Sequence, residues 1–380
     1  MPTPMLTSDS LTVKLWAVKD FVDQYKKSAI GRMMRRGTIM VSNELQNAKA
    51  GDEVTIGFTS ILTGLGMTEG GTLTGNEEIL RNTSFTMAFN VVRHGVANPN
   101  DDTIEQQRTT IDFYSTTRGL LSQWHLSRGD ASAFNQLAGV NSTTITVDGA
   151  VYSGDKRTIV TGLNSVAAPS TNRIIRAGGR ADDQSLTSSD KTTLDLVDAA
   201  VEILSRTYPS AAPLDNDEFD WYISPEQLTD LKRDTSGKIQ WYTINLQALA
   251  GGQIKDNQIM TASPFSMEPV GKYANVNIIV ANRVAYGQNS STSAAITNVR
   301  RSVLVGKNAL CYGSAFSGSI SDMTQAKQGK FPYKYFTQLK DYDYIKGLEA
   351  RSIYGLKKMK FQDEDLGVVV IATYAAPHTN

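Results

Sequence analysis

One stretch, residues 51–95, constrains this chain more than any other. Two strand-like runs, 54–58 and 84–92, flank a connection of about twenty-five residues. The second run alternates Phe85, Met87, Phe89 and Val91 against Ser84, Thr86 and Asn90, the period of a half-buried strand. The connection holds Gly64, Gly66, Gly70, Gly71 and Gly75 and few residues that could build a core. Hairpins normally turn within a few residues, so this one should project from the body. Two strands alone are at best marginally stable, so its faces need a cover, and another copy of the chain is the natural one. Leu65, Met67 and Leu73 are the sizeable apolar groups of the tip and therefore candidate interface residues.

The rest of the chain reads as ordinary folded protein. A length of 380 residues suggests two or three domains. Thirty-eight Lys and Arg balance 38 Asp and Glu, which argues against a basic face that embraces nucleic acid. Cys311 is the single cysteine, so no intrachain disulfide framework exists and folding in a reducing cytoplasm fits. The N-terminus lacks a signal-peptide core, and no run approaches the ~18 apolar residues of a membrane span.

Taken in order, residues 1–13 read as a polar, mobile tail. From Lys14, Leu15, Val18, Val22, Tyr25, Ala29 and Met33 recur at helical steps among many Lys and Arg. That is an amphipathic arm for a partner subunit or anionic surface, or else a solvated helix face. Leu15, Val18, Val22 and Tyr25 join the candidate interface residues. After the hairpin, Thr103–Gln106 makes a capping box. A long helix then runs to Gly129, with Ile104, Ile111, Tyr114, Leu121 and Trp124 on one side. Residues 139–180 read as a polar surface insertion with β-prone pieces at 143–147 and 158–161. A helix is expected over about 190–206 and a strand over 219–223. Ser224-Pro225-Glu226-Gln227 then caps a short helix stopping at Gly237. Runs 276–281, 302–306 and 366–374 read as strands. The class is α+β.

Several pieces, in this order, resemble the major capsid proteins of tailed bacteriophages with the Hong Kong 97-type fold. They are Gly51-Asp52-Glu53-Val54, Leu73-Thr74-Gly75-Asn76-Glu77-Glu78, Gln106-Gln107-Arg108, Trp221-Tyr222-Ile223-Ser224-Pro225 and residues 302–310. Asp341-Tyr342-Asp343-Tyr344 and Gly355-Leu356-Lys357-Lys358 complete the set. The resemblance spans about residues 14–376 and rests on packing signatures, not catalytic ones. It implies an N-terminal arm (1–50), an extended hairpin loop (51–95), and a peripheral domain with a long spine helix (96–209). An axial domain (210–330) and a return to the peripheral domain (331–380) would follow. Residues 140–190 are bulkier than a minimal version of that fold requires. It further implies hexamers and pentamers of the chain itself, closed into an icosahedral head around double-stranded DNA and assembled in the host cytoplasm. Because the arm begins almost at once, a separate scaffolding protein is expected, together with a portal.

Chemistry must be tested apart from fold. His94, His125 and His378 are widely separated, without HExxH or paired cysteines, so no zinc site is expected. Gly64–Gly70 lacks the spacing of a dinucleotide loop. No Ser occupies a nucleophile elbow. Asp215, Asp217, Glu218 and Asp220 could pair carboxylates for glycoside hydrolysis or hold calcium, but a solvated linker is the simpler reading. No catalytic residue, cofactor or metal is assigned. The competing reading, a carbohydrate-binding or glycoside-hydrolysing surface protein, rests on that acidic run and the polar insertion.

Overall fold

The computed structural model describes residues 28–42, 53–59, 65–79, 82–98, 113–207, 209–234, 269–314, 334–340 and 345–378. Helix α1 (Ala29–Arg35) leads into β1 (Ile39–Ser42). Strands β2 (Glu53–Thr59) and β3 (Asn82–Ala88) form the hairpin, and β4 (Asn90–Asn98) follows. The long helix α2 covers Phe113–Ala138, and a small hairpin, β5 (Thr144–Val147) and β6 (Ala150–Ser153), comes after it. Then come β7 (Ile174–Arg176), α3 (Leu194–Arg206), β8 (Phe219–Ile223) and α4 (Pro225–Arg233). The strands β9 (Gly271–Tyr273), β10 (Val276–Val280), β11 (Tyr286–Gln288), β12 (Ala295–Val305) and β13 (Leu310–Ser314) follow. The described order ends with β14 (Lys334–Lys340), β15 (Ile345–Lys358), β16 (Lys360–Phe361), β17 (Glu364–Asp365) and β18 (Val368–Tyr374).

Two sheets organise these elements. The larger has seven strands in the order β7-β18-β12-β8-β10-β9, with β11 also on β12. Its central strands are apolar on both faces. Tyr222, Val303, Val305, Val368 and Val370 pack toward α1 and α2. Trp221, Ile223, Leu304, Val369 and Ile371 pack toward α3 and α4. Such two-sided burial explains why these runs read as continuous hydrophobic stretches without alternation. The second sheet is built on the 14-residue β15, which pairs with β13 near its end and with β4 and β14 along its first part.

Several expectations are corrected. The run 84–92 is two strands, because β3 pairs with β2 while β4 pairs with β15. Helix α2 does not stop at Gly129 but continues to Ala138, with Phe134, Leu137 and Ala138 buried. That burial outweighs the ~1 kcal/mol cost of a mid-helix glycine. The helix ends where Gly139 adopts φ +64 and Val140 N–H donates to the Asn135 carbonyl. Of the residues expected along its side, Leu121 is buried and Trp124 packs against the core. Ile104, Ile111 and the capping box lie outside the described residues. Residues 158–161 are not strand: Gly154–Val160 forms a 3-10 helix. Nor is 139–180 only a surface insertion, since Val160 and Arg173 are fully buried and β7 joins the large sheet beside β18. The arm stripe is divided. Ala29 and Met33 lie in this chain's own core, and β1 pairs with β13, so residues 28–42 belong to the body. The last strand, β18, sits inside the sheet of β8, β10 and β12 instead of returning to the other. Helix α4 ends at Arg233, short of Gly237, and carries the expected capping box.

The acidic run is also not a solvated linker throughout. Asp220 is fully buried, and Arg32 of α1 donates to it at 3.0 Å. Arg36 donates to Glu218 at 2.7 Å. Breaking a buried pair leaves an uncompensated charge. Asp220→Ala should therefore cost about 3–5 kcal/mol in urea unfolding. Asp215→Ala, at an exposed carboxylate paired among the described residues only with Lys307 across 3.5 Å, should stay within about 0.5 kcal/mol.

Candidate functional site

The hairpin is held rigidly at its base and left open at its tip. At the base, Phe85 and Met87 pack with Cys311 and Met359. The Asn164 side chain grips Ala88 twice, accepting from its N–H and donating to its carbonyl, each at 2.9 Å. Lys357 Nζ donates to the Thr86 carbonyl at 2.6 Å. Gly355 permits this closeness, since a Cβ there would sit 2.3 Å from the Ala88 oxygen.

The tip, residues 65–79, is shaped by its own turns. Gly71 N–H donates to the Thr68 carbonyl and Asn76 N–H to the Leu73 carbonyl, both at 2.9 Å. Gly66 and Gly75 take positive φ, where L side chains are strained. Among the described residues nothing covers its apolar groups. Leu65 is wholly exposed, and Met67 and Leu73 are about half exposed. These three candidates are thus brought together on one loop. Ile79 is equally open and was missed. Its signal was present, as an apolar residue directly after Glu77-Glu78 in a stretch with no core to join. The other four candidates, Leu15, Val18, Val22 and Tyr25, lie outside the described residues.

Behind the hairpin stands α2, which is buried on nearly every side from Leu121 onward. Its polar side chains therefore need partners inside the protein. Ser132, Asn135 and Gln136 donate to the carbonyls of Ile159, Val160 and Thr161. Arg128 donates to the Tyr152 hydroxyl and pairs with Asp148. His94 of β4 stacks on Trp124 at 4.4 Å. These contacts had no periodic signal in sequence.

Two groups on α2 titrate abnormally, in opposite senses. Burial drives His125 down to about 4, although its bond to the Ala350 carbonyl opposes this. Burial pushes Asp130 up to about 6, against the N–H of Ile30, which donates to it at 2.9 Å, and Arg283. Glu218 moves the other way from Asp130. Burial would raise it, but hydrogen bonds from Lys272, Asn277 and Arg36 bring it down to about 2. Among the described residues no cluster of His, Cys, Asp and Glu could hold a metal. Glu218 and Asp220, on which the glycoside-hydrolysing alternative leaned, are engaged by Arg32, Arg36, Lys272 and Asn277.

The family model of phage capsid proteins matches residues 5–377 of the chain. The chain belongs to the phage capsid protein family. The major capsid protein of Pseudomonas phage KPP25 is 29% identical over 178 residues, 46% of each chain. That match thus spans about half the length of the curated relative. Three solved structures share the fold along nearly the whole chain. The capsid of Ralstonia phage GP4 superposes with a TM-score of 0.68 at 21% identity, covering 90% of this chain and 89% of that one. The cyanophage Pam1 capsid gives 0.60 at 18% identity, with the same coverage. The head of Helicobacter pylori bacteriophage KHP40 gives 0.57 at 12% identity, covering 88% of each. This capsid protein has the Hong Kong 97-type fold, and its class is α+β. The family makes it a structural component of the virion, and nothing in these comparisons supports the carbohydrate reading.

The opposed titrations make a testable pair. His125 is depressed on folding, so it contributes stability above its unfolded value near 6.5 that is lost as pH falls toward 4. Asp130 is raised, so protonation below about 6 adds stability to the fold down to its unfolded value near 4. The two nearly cancel over pH 4–6.5. His125→Gln should therefore grow more stable between pH 7 and 5 in thermal melts. Asp130→Asn should grow less stable over the same range. Each contribution is on the order of 3 kcal/mol over its full window and about 1.5 kcal/mol between pH 7 and 5. Parallel pH profiles for both variants would contradict the assignment.

Proposed function

We propose that this chain is the major capsid protein of a tailed phage, whose copies form hexamers and pentamers of an icosahedral head around double-stranded DNA. The observation that supports this most is the hairpin, gripped at Ala88 by Asn164 and bare at Leu65, Met67, Leu73 and Ile79. A fixed projection with uncovered apolar groups gains its compensation only by lying on a neighbour. Closed rings repeat that contact at every interface. The sheet of β4, β13, β14 and β15 with α2 corresponds in this reading to the peripheral domain. The seven-stranded sheet corresponds to the axial domain, and the residues before Ser28 to the arm. A formal net charge of +0 suits a wall that confines DNA without gripping it. Assembly takes place in the host cytoplasm with a separate scaffolding protein and a portal.

The experiment is to replace Thr63–Gly75 by an Asn-Gly turn and express the variant with its scaffold. Circular dichroism and melting should match the parent, because among the described residues none of the tip joins the body's core. Electron microscopy should show closed heads for the parent and at least tenfold fewer for the variant. Normal heads from the shortened chain would remove the hairpin from its assigned role.

A further inference from the structure

The three strands β4, β14 and β15 turn one face toward α2, where Val92, Tyr335, Leu348 and Ala350 share a core cluster with Leu121. Their register places Arg93, Gly95 and Ala97 on the opposite face, beside Gly347, Glu349 and Arg351 of β15 and Phe336 and Gln338 of β14. On that face Arg93, Gly95, Ala97 and Gln338 are exposed. Gly95, Ala97 and Gly347 form the low floor of an open trough of about 660 Å³, and Arg93, Glu349, Phe336 and Gln338 stand around it.

Glycine weakens a strand interior and often marks a place where another backbone comes close. Gly355, further along β15, is required by this chain itself, because a Cβ there would meet the Ala88 oxygen at 2.3 Å. The two floor glycines differ. A Cβ would find its nearest neighbour at 3.4 Å on Gly95 and at 3.6 Å on Gly347, ordinary contact distances. Neither residue has a positive φ. Packing among the described residues therefore gives no reason for glycine at either position, and the backbone that comes close belongs to another molecule.

Charge selects that molecule. Arg93 and Arg351 share one carboxylate, Glu349, at 3.6 and 3.0 Å, and the Arg93 side chain is still 64% exposed. The Arg351 guanidinium is also held over the Phe336 ring at 4.4 Å. Two cations on one acid leave this face with an excess of positive charge. The hairpin tip, residues 65–79, is its complement. It carries Glu69, Glu77 and Glu78 and no Lys or Arg, and Gly70 and Gly71 leave its backbone bare. Within one chain the two do not meet, since no tip residue lines the trough and Leu65 is wholly exposed. Building on the capsid reading, we propose that the trough over Gly95 and Gly347 receives the hairpin tip of a second copy, with the tip's glutamates facing Arg93 and Arg351. Opposite charge then sets the partner and its register, and the paired glycines let the two backbones approach.

The test uses the full chain expressed with its scaffold. Gly347→Val puts a good strand former where the chain has room, so it should melt no lower than the parent and yet give at least tenfold fewer closed heads. A melting point well below the parent's would show that the chain itself needs the glycine and would overturn the proposal. Normal heads from Gly347→Val, beside few from the shortened hairpin, would overturn it too and leave the capsid reading standing. The occupant is read separately, in parent particles that carry a minor fraction of two tagged chains. One has Leu65→Cys; the other has Gln338→Cys on the trough wall or, as control, Val151→Cys on β6, where Val151 is exposed. The native Cys311 is buried. A short bismaleimide should link the trough pair into dimers at least tenfold faster than the control pair, and adding Arg93→Glu to the Gln338→Cys chain should remove most of that advantage. Equal rates for the two pairs, or a rate indifferent to Arg93→Glu, would overturn the tip as the occupant.

Discussion

The structure depends on one constraint: a long helix rich in polar residues is buried on almost every side. Water cannot satisfy those side chains, so the protein must. Ser132, Asn135 and Gln136 do this by holding the carbonyls of the segment that follows the small hairpin. Gln136 also accepts from the N–H of Lys358 on β15. The wrapped segment ends in Asn164, and Asn164 grips the hairpin base. A line of hydrogen bonds therefore runs from α2 to the base of the β2–β3 hairpin. The hairpin base is anchored through Ala88 to a segment whose carbonyls the helix's polar groups hold.

The large sheet solves a different problem. Its central strands are apolar on both faces, so helices must cover each side. The charges around it are paired, not solvated. Arg32 reaches Asp220, Arg301 reaches Asp183 at 2.6 Å, and Lys358 reaches Asp365 at 2.9 Å. Such pairs are weak evidence for stability but costly to break singly. The first two tie α1 and residue 183 to the sheet from far away in sequence, and the third joins β15 to β17.

Where a local physical rule governs, sequence and structure agree. The Ser224–Gln227 capping box, the strand at 219–223 and the pairing of β2 with β3 across a glycine-rich connection each follow from a few neighbouring residues. The resemblance to capsid proteins rested on the order of such pieces, and the family match agrees with it. Where distant partners govern, the reading failed. Glu218 and Asp220 look like a solvated run until Arg32 and Arg36 meet them across the fold. Residues 158–161 look like strand until α2 claims their carbonyls. Ala29 and Met33 extend an arm-like stripe, yet they fill the core. The exposure of the tip residues Leu65, Met67 and Leu73 was legible because a long glycine-rich connection has nothing local to bury them. Ile79 needed only the same reasoning carried four residues beyond Gly75.

The central claim is that the hairpin tip gains its cover from a neighbouring copy. Hydrogen exchange over residues 65–79, compared between free subunits and assembled particles, tests it most directly. The account predicts fast exchange in the free chain, with at least tenfold slowing in particles confined to the tip and the surface that receives it. Equal exchange in both states would contradict it, because the exposed Leu65, Met67, Leu73 and Ile79 would then remain uncovered where the account requires them to be buried.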